Sequence, residues 1–270
     1  MRAWFFPINS RSLAAAGALV AALSCRTAGR PVASLEVSPK QLHLDYPGAV
    51  ALRLRWRLLE PLEPSDERPT VFVHLFDHPR SVARTFDHPF PEPWVVGGEV
   101  EYEIVLYQSA LGPPLPAGEY WVSVGLYSSD GRRWPVQADG DEVNDFERRV
   151  ARLEASNAPT TPEIAFSSSW SELRAGFDRQ VLGRRLLLAT SGTVRTGPVP
   201  AASRLFLSLY PAAGATPHLE STCGAPTSRA WGFGTYEFEL PLSTTESCDI
   251  QIEAAPPGLS IEALAWKVEE

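Results

Sequence analysis

The chain has 270 residues, 44% of them hydrophobic and 21% charged, with a formal net charge of −8 at neutral pH. That acidic balance argues against nucleic acid and anionic lipid head groups as partners. No nucleophile elbow, Walker loop, HExxH or kinase signature occurs, and the length suffices for two ordinary domains with real cores.

At the N-terminus, MRAWFFPINSRSLAAAGALVAALSC sets Arg2 and Arg11 ahead of an acid-free apolar stretch from Leu13 to Leu23, followed by the small residue Ser24 and then Cys25. This pattern predicts a signal peptide over residues 1–24. Its apolar run is about half of the roughly 20 residues a spanning helix needs, so a permanent transmembrane anchor is the poorer reading. The segment AALSC is similar to the bacterial lipobox, which implies an acylated Cys25 at the new N-terminus, a tether over 25–33 and attachment to a membrane through the N-terminal lipid. Arg26 stands where an inner-membrane lipoprotein commonly carries aspartate, which favours the outer membrane. The alternative is an ordinary secretory signal cleaved near Ala22, Ser24 or Ala28, releasing a soluble protein with an unpaired thiol. Removing residues 1–24 takes away Arg2 and Arg11, so the charge goes from −8 to −8 − 2 = −10. Lysine occurs only at Lys40 and Lys267, a usage typical of a GC-rich bacterial genome.

Beyond the tether, period-two patterning dominates. In AVALRLRWRL, Leu52, Leu54, Trp56 and Leu58 alternate with Arg53, Arg55 and Arg57, which predicts a strand with one buried and one basic face. The segment TVFVHLF is apolar on both faces apart from His74, as expected of a central strand covered on both sides. EVEYEIVL turns Val100, Tyr102, Ile104 and Leu106 inward and Glu99, Glu101 and Glu103 outward, where they can pair with the arginines of the earlier strand. EYWVSVGLY follows, and SSDG predicts a hairpin to RRWPV. In NDFERRVARLEA the spacing of Phe146, Val150 and Leu153 is helical, against the strand pattern around it.

The segment from Asn157 to Glu163 carries two prolines and no apolar pattern, and marks a linker. RRLLLAT, SRLFLSLY, GTYEFELPL, CDIQIEA and SIEALAWKV then predict a second all-β unit. The expected fold is all-β: an Ig-like β-sandwich over 34–156, the linker over 157–163, and a second sandwich over 164–270. Cys223 and Cys248 are natural disulfide partners in an oxidising compartment; the alternative is two reduced, buried cysteines. Zinc binding by cysteines lacks ligand pairs at suitable spacing.

The stretch from Val71 to Tyr107 followed by GEYWVSVGLYSSDGRRWPV resembles the first sandwich of uncharacterised bacterial envelope lipoproteins, and similar modules appended to membrane glycosyltransferases. The residues carrying the resemblance are the His-Leu strand, the Asp-His-Pro segment, a Trp before a turn and the Gly-Leu-Tyr strand. EIAFSSSWSELRAGF with RRLLLATSG and RLFLSLY resembles the jelly-roll-like module that follows in those proteins. The resemblance covers nearly the whole chain beyond the signal and implies no activity or cofactor. Gly97 and Gly98 depart from it, standing where a Pro-Gly turn is usual.

Two groups of residues are candidates for chemistry. His74, Asp77, His78, Asp87 and His88 are the right types for zinc or a similar ion, although Asp-His-Pro at 77–79 and 87–89 is also good turn chemistry. Trp94, Trp121, Tyr127 and Trp134 are candidates for a sugar or protein surface, with packing in the sandwich core as the competing role. The expectation is therefore a non-catalytic, lipid-anchored envelope protein acting as a binding or assembly module, with an envelope protein or a glycan as its partner. Carbohydrate binding at the tryptophans and a metal-dependent hydrolase at His74, His78 and His88 are the alternatives.

Overall fold

A computed structural model describes residues 29–62, 68–78, 81–144, 146–157, 162–175, 183–187, 190–199 and 203–268. The expected signal peptide, Cys25 and the first residues of the tether lie outside the described residues, as does most of the expected linker. Among the described residues the regular elements are strands. The first half supplies β1 (Ala33–Ser38), β2 (Gln41–Tyr46), β3 (Gly48–Leu58), β4 (Thr70–His78), β5 (Ser81–Thr85), β6 (His88–Pro89), β7 (Glu99–Gln108), β8 (Gly118–Tyr127), β9 (Arg133–Trp134), β10 (Val136–Ala138), β11 (Glu142–Asn144) and β12 (Glu147–Asn157). The second half supplies β13 (Ile164–Phe166), β14 (Arg174–Ala175), β15 (Gly183–Leu187), β16 (Ser191–Thr196), β17 (Ser203–Pro211), β18 (His218–Ser221), β19 (Thr227–Trp231), β20 (Thr235–Pro241), β21 (Cys248–Glu253) and β22 (Leu259–Val268).

The first sandwich closes an eight-stranded sheet I, built on the path β11-β12-β8-β4-β5, over a four-stranded sheet II, β10-β1-β3-β7. In sheet I, β2 runs parallel to β12, and in sheet II β1 and β7 flank β3 in antiparallel register. This strand order is Ig-like. Alternation dictates the core: Leu52, Leu54, Trp56 and Leu58 of β3 face Val71, Val73 and Leu75 of β4 and Val122, Val124 and Leu126 of β8 in one cluster that also takes in Val32 and Ala33. On the wet face of sheet II, Arg53 reaches Glu103 at 3.0 Å and Arg55 reaches Glu99 at 3.0 Å. Tyr120, near the start of β8, donates its hydroxyl to the Pro116 carbonyl at 2.8 Å, the tyrosine corner of such sandwiches.

The second sandwich pairs a six-stranded sheet III, β14-β15-β22-β17-β20-β19, with a four-stranded sheet IV, β13-β16-β21-β18. Strands β15 to β18, and again β20 to β22, alternate between the two sheets, which is the winding of a jelly roll. Leu205, Leu207 and Leu209 of β17 and Ile250 and Ile252 of β21 fill the core between them. Cys223 and Cys248 form a disulfide with their Cα atoms 5.5 Å apart, tying the end of β18 to the start of β21.

Pro31–Glu270 forms one compact unit, because the outer face of sheet II is not polar throughout. Beyond the Arg/Glu ladder, Val105, Ala49 and Tyr107 pack against Phe206, Ala263 and Ala265 on the outer face of sheet III. The turn after β7 completes the joint. Ala110 N donates to Leu264 O at 2.8 Å, Leu264 N donates to Ser109 Oγ at 3.1 Å, and Leu111 enters the second core. The sheets thus stack in the order I, II, III, IV, leaving one face of sheet I and one face of sheet IV outermost.

Candidate functional site

Sheet I places two of the five metal candidates together. His74 leaves β4 on the outer face, where its Nδ1 lies 2.9 Å from Glu147 Oε1 and its Nε2 3.5 Å from Asp87 Oδ1. Ser123 Oγ donates to the same Glu147 oxygen at 2.5 Å, and Arg133 Nη1 approaches Oε2 at 3.4 Å. Glu147 is 1% exposed. Asp87 also accepts from Val73 N at 3.2 Å; burial raises its carboxyl above the usual carboxylate range, with His74 pulling the other way. Both imidazole nitrogens face carboxylates, and the buried Ser123 hydroxyl donates to Glu147. The cluster cross-links β4, β8 and β12.

The other candidates do not join it. The Val71–His88 pairing of β4 with β6 turns the His88 ring to the inner face. There Nδ1 meets the Phe86 carbonyl at 3.0 Å, Nε2 meets Tyr102 Oη at 2.8 Å, and the ring lies 4.8 Å from Trp231 of the second sandwich. Burial there lowers its pKa to about 4. Asp77 is exposed at the end of β4, and the His78 side chain lies outside the described residues. Among the described residues no three His, Cys, Asp or Glu side chains are placed to hold an ion. Strand pleating is the reason, since it sends His74 and His88 to opposite faces of one sheet.

The aromatic candidates are likewise spread over different parts of the first sandwich. Trp94 donates Nε1 to the Glu60 carbonyl at 2.9 Å and packs on Phe90 at 5.1 Å. Trp134 packs against the first core with the Arg132 guanidinium 4.1 Å from its ring centre. Trp121 and Tyr127 sit on the opposite face of β8. Trp121 carries the guanidinium groups of Arg149 and Arg152 at 4.3 and 4.4 Å, a cation–π arrangement that occupies the ring. Tyr127 stacks on Phe72 at 6.0 Å, and burial raises its hydroxyl pKa.

Sequence reasoning missed a groove of about 670 Å³ on the outer face of sheet IV. Register puts Thr193 beside Gln251 and Arg195 beside Asp249, and Glu220 on the far side of Gln251. Thr193 Oγ1 donates to Gln251 Oε1 at 2.8 Å, and Asp249 grips Arg195 through Nε at 2.5 Å and Nη2 at 2.7 Å. Ser167 Oγ accepts from Thr193 N and Thr222 Oγ1 from Asp249 N, each at 3.0 Å. Phe166 is the one aromatic ring in the lining. The local signal was only that polar residues alternate outward in SGTVRT and CDIQIE; which strands lie side by side is set by pairings of long sequence separation.

No family model matches the chain, and no curated protein matches it. Among solved structures it is similar to the secreted serine protease VesC from Vibrio cholerae, at 10% identity and a TM-score of 0.28 over 88% of this chain and 52% of that one. It is similar to a marsupial T cell receptor at 12% identity and a TM-score of 0.25, over 87% of this chain and 98% of that one. A purple acid phosphatase, PPD1, from yellow lupin seeds gives 11% identity and a TM-score of 0.23, over 87% of this chain and 40% of that one. The chain spans about half the length of the protease structure, and likenesses at these scores say nothing of activity.

Proposed function

We propose that this chain is an exported, lipid-anchored envelope protein, of the kind its sequence resembles, that binds a ligand and performs no reaction on it. The observation that carries the binding role is the groove on sheet IV. Its side chains are fixed by neighbours yet retain unspent hydrogen-bonding capacity, which is preorganisation for recognition. The His74 cluster, by contrast, spends its groups on one another. Support for the location comes from the N-terminal pattern and from the cysteines. Cys223 and Cys248 pair with each other, as suits an oxidising compartment, and Cys25 remains for acylation. Attachment through two or three acyl chains, at about 0.8 kcal/mol per buried methylene, is effectively permanent. The outer membrane is the proposed destination.

Metabolic labelling with a clickable palmitate analogue tests this directly. Wild-type protein is expected in the detergent-soluble envelope fraction carrying label, and Cys25→Ser is expected to lose both. An unlabelled full-length product in the cytosol would overturn the reading. For the binding role, immobilised wild-type protein is expected to retain an envelope component that a groove variant does not.

A further inference from the structure

The groove's chemistry narrows its ligand, and this step rests on reading the groove as the binding surface. Gln251 offers Oε1 to Thr193, and its Nε2 has no partner among the described residues, so two N–H donors face the groove. Asp249 holds Arg195 by Nε and Nη2, leaving Nη1 as a further donor. The hydroxyls of Ser167, Ser221 and Thr222 each accept a backbone N–H, from Thr193, Cys223 and Asp249; each is thereby oriented while keeping its own proton to donate. Glu220 contributes an acceptor; among the described residues its side chain pairs with His218 Nε2 at 3.3 Å. Donors and acceptors therefore lie interleaved on a flat strand lattice, with neighbouring rows about 4.8 Å apart.

Three ligand classes can be compared against this surface. A protein partner needs an apolar interface centre, and the lining supplies only Phe166 and Ala165 as apolar side chains. An anionic polymer needs cations in excess, whereas Arg195 is the one cation in the lining, is already clamped by Asp249, and stands with Glu220 as well. A neutral polyol needs closely spaced, rigid donors and acceptors and one apolar ring for its C–H face. Ser167, Thr193, Gln251, Thr222 and Glu220 provide the polar groups, and Phe166, packed edge-on with Trp170 at 6.1 Å between ring centres, lies in the same lining. The disulfide between Cys223 and Cys248 fastens the rim at Ser221 and Thr222, so little ordering is left to be done on binding.

We infer that the outer face of sheet IV, centred on Thr193 and Gln251, binds a neutral saccharide chain. The position differs from the tryptophans singled out in the sequence, which lie in the first sandwich.

The test uses the full chain purified in detergent and native affinity electrophoresis through gels containing a linear β-glucan, dextran, mannan or galactomannan, with alginate as the acidic control. At least one neutral polysaccharide is expected to retard the protein. Gln251→Glu keeps the shape and the acceptor for Thr193 but removes the two donors; it is expected to weaken retardation roughly tenfold, as is Thr193→Ala, about the size of one lost hydrogen bond. Trp121→Ala should leave retardation unchanged, and unaltered thermal unfolding confirms that each variant is folded. No retardation by any of the four neutral polymers overturns the inference, as does retardation by alginate alone or a signal indifferent to both groove variants. If the neutral polymers fail while the wild-type protein, and not Gln251→Glu, still retains an envelope component, the saccharide is refuted and the binding role stands.

Discussion

Replacing His88 by phenylalanine should flatten the dependence of stability on pH. In the native protein the imidazole is 1% exposed. It sits between the Phe86 carbonyl, the Tyr102 hydroxyl and the Trp231 ring, and Arg229 adds a like-charge penalty to burial. Its folded pKa is lowered from 6.5 to about 4. Between those values the unfolded chain takes up a proton that the folded chain refuses, so stability is fully present above pH 6.5 and is lost as pH falls towards 4. At about 1.4 kcal/mol per pKa unit, the whole window is worth roughly 3 kcal/mol, of which about 2 kcal/mol is lost between pH 7 and pH 5. Asp87 and Glu237 have raised pKa values and act with the opposite sign at the acid end, gaining stability as they protonate. Comparing wild type with His88→Phe at the same two pH values removes their contribution. The variant leaves the Tyr102 hydroxyl and the Phe86 carbonyl without His88, a cost of about 1–3 kcal/mol that is independent of pH. Urea unfolding followed by tryptophan fluorescence at pH 7 and pH 5 measures both quantities. An equal loss in the two proteins between those pH values would refute the assignment of the acid sensitivity to His88.

Other parts of the fold give equally direct expectations. The double substitution Cys223→Ser, Cys248→Ser opens a link of sequence separation 25 and should cost about 3 kcal/mol in urea unfolding, a loss that dithiothreitol reproduces in the wild type. At Gly125 an added Cβ would come within 2.1 Å of Phe72 Cζ, so Gly125→Ala should destabilise by about 1–3 kcal/mol through overpacking; combined with Phe72→Ala it should add less than its separate cost in thermal melts. Arg229 holds the buried Glu237 carboxylate, with Nε at 2.6 Å from Oε2, and donates to the Glu103 carbonyl across the joint at 2.7 Å. Arg229→Ala should therefore cost about 3 kcal/mol, and adding Glu237→Gln should restore most of it, because the variant amide needs no counter-charge.

Much of the fold was legible because alternation is a local property. The β3 and β7 segments state their inward and outward faces residue by residue, and the Arg53 and Arg55 pairs with Glu99 and Glu103 follow once those strands adjoin. The helical spacing read in residues 144–155 instead reflects a bulge. The register of β12 against β8 slips between Arg149 and Ala151, so Val150 is the extra residue. Buried positions then run 147, 150, 151, 153 and 155, which imitates a three- and four-residue period. A single inserted residue on a strand is invisible to any windowed periodicity.

The site residues were harder to see for a different reason. Glu147 gave no local sign of burial; it is inside because Ser123, His74 and Arg133 arrive from three other strands. Trp121 looked available because indole rings suit ligands, but the residues that cover it, Arg149 and Arg152, come from β12, some thirty positions away in sequence. The disulfide was predictable from the cysteine count and an expected oxidising compartment, whereas the groove beside it depends on β16, β21 and β18 being neighbours.

The two outermost faces of the four-sheet stack differ in what they leave to solvent. On sheet I the outward row of Phe72, His74 and Phe76 is largely buried, and its polar groups are paired with Glu147 and Asp87. Further along the same face, Gln41, His43, Glu119, Arg152 and Glu154 are exposed around a smaller concavity of about 260 Å³. On sheet IV the outward row of Thr193, Arg195, Asp249, Gln251 and Glu220 surrounds a groove, with donors still to be satisfied by water or a ligand. The outer faces of sheets II and III meet at Val105, Phe206, Ala263 and Ala265, beside a smaller concavity of about 180 Å³ lined by Glu103, Arg229, Glu239 and Lys267. The proposed recognition surface lies on sheet IV, where the groove is the largest of these three concavities, and the buried joint between sheets II and III, with His88 and Trp231 at its edge, holds the two sandwiches in one unit.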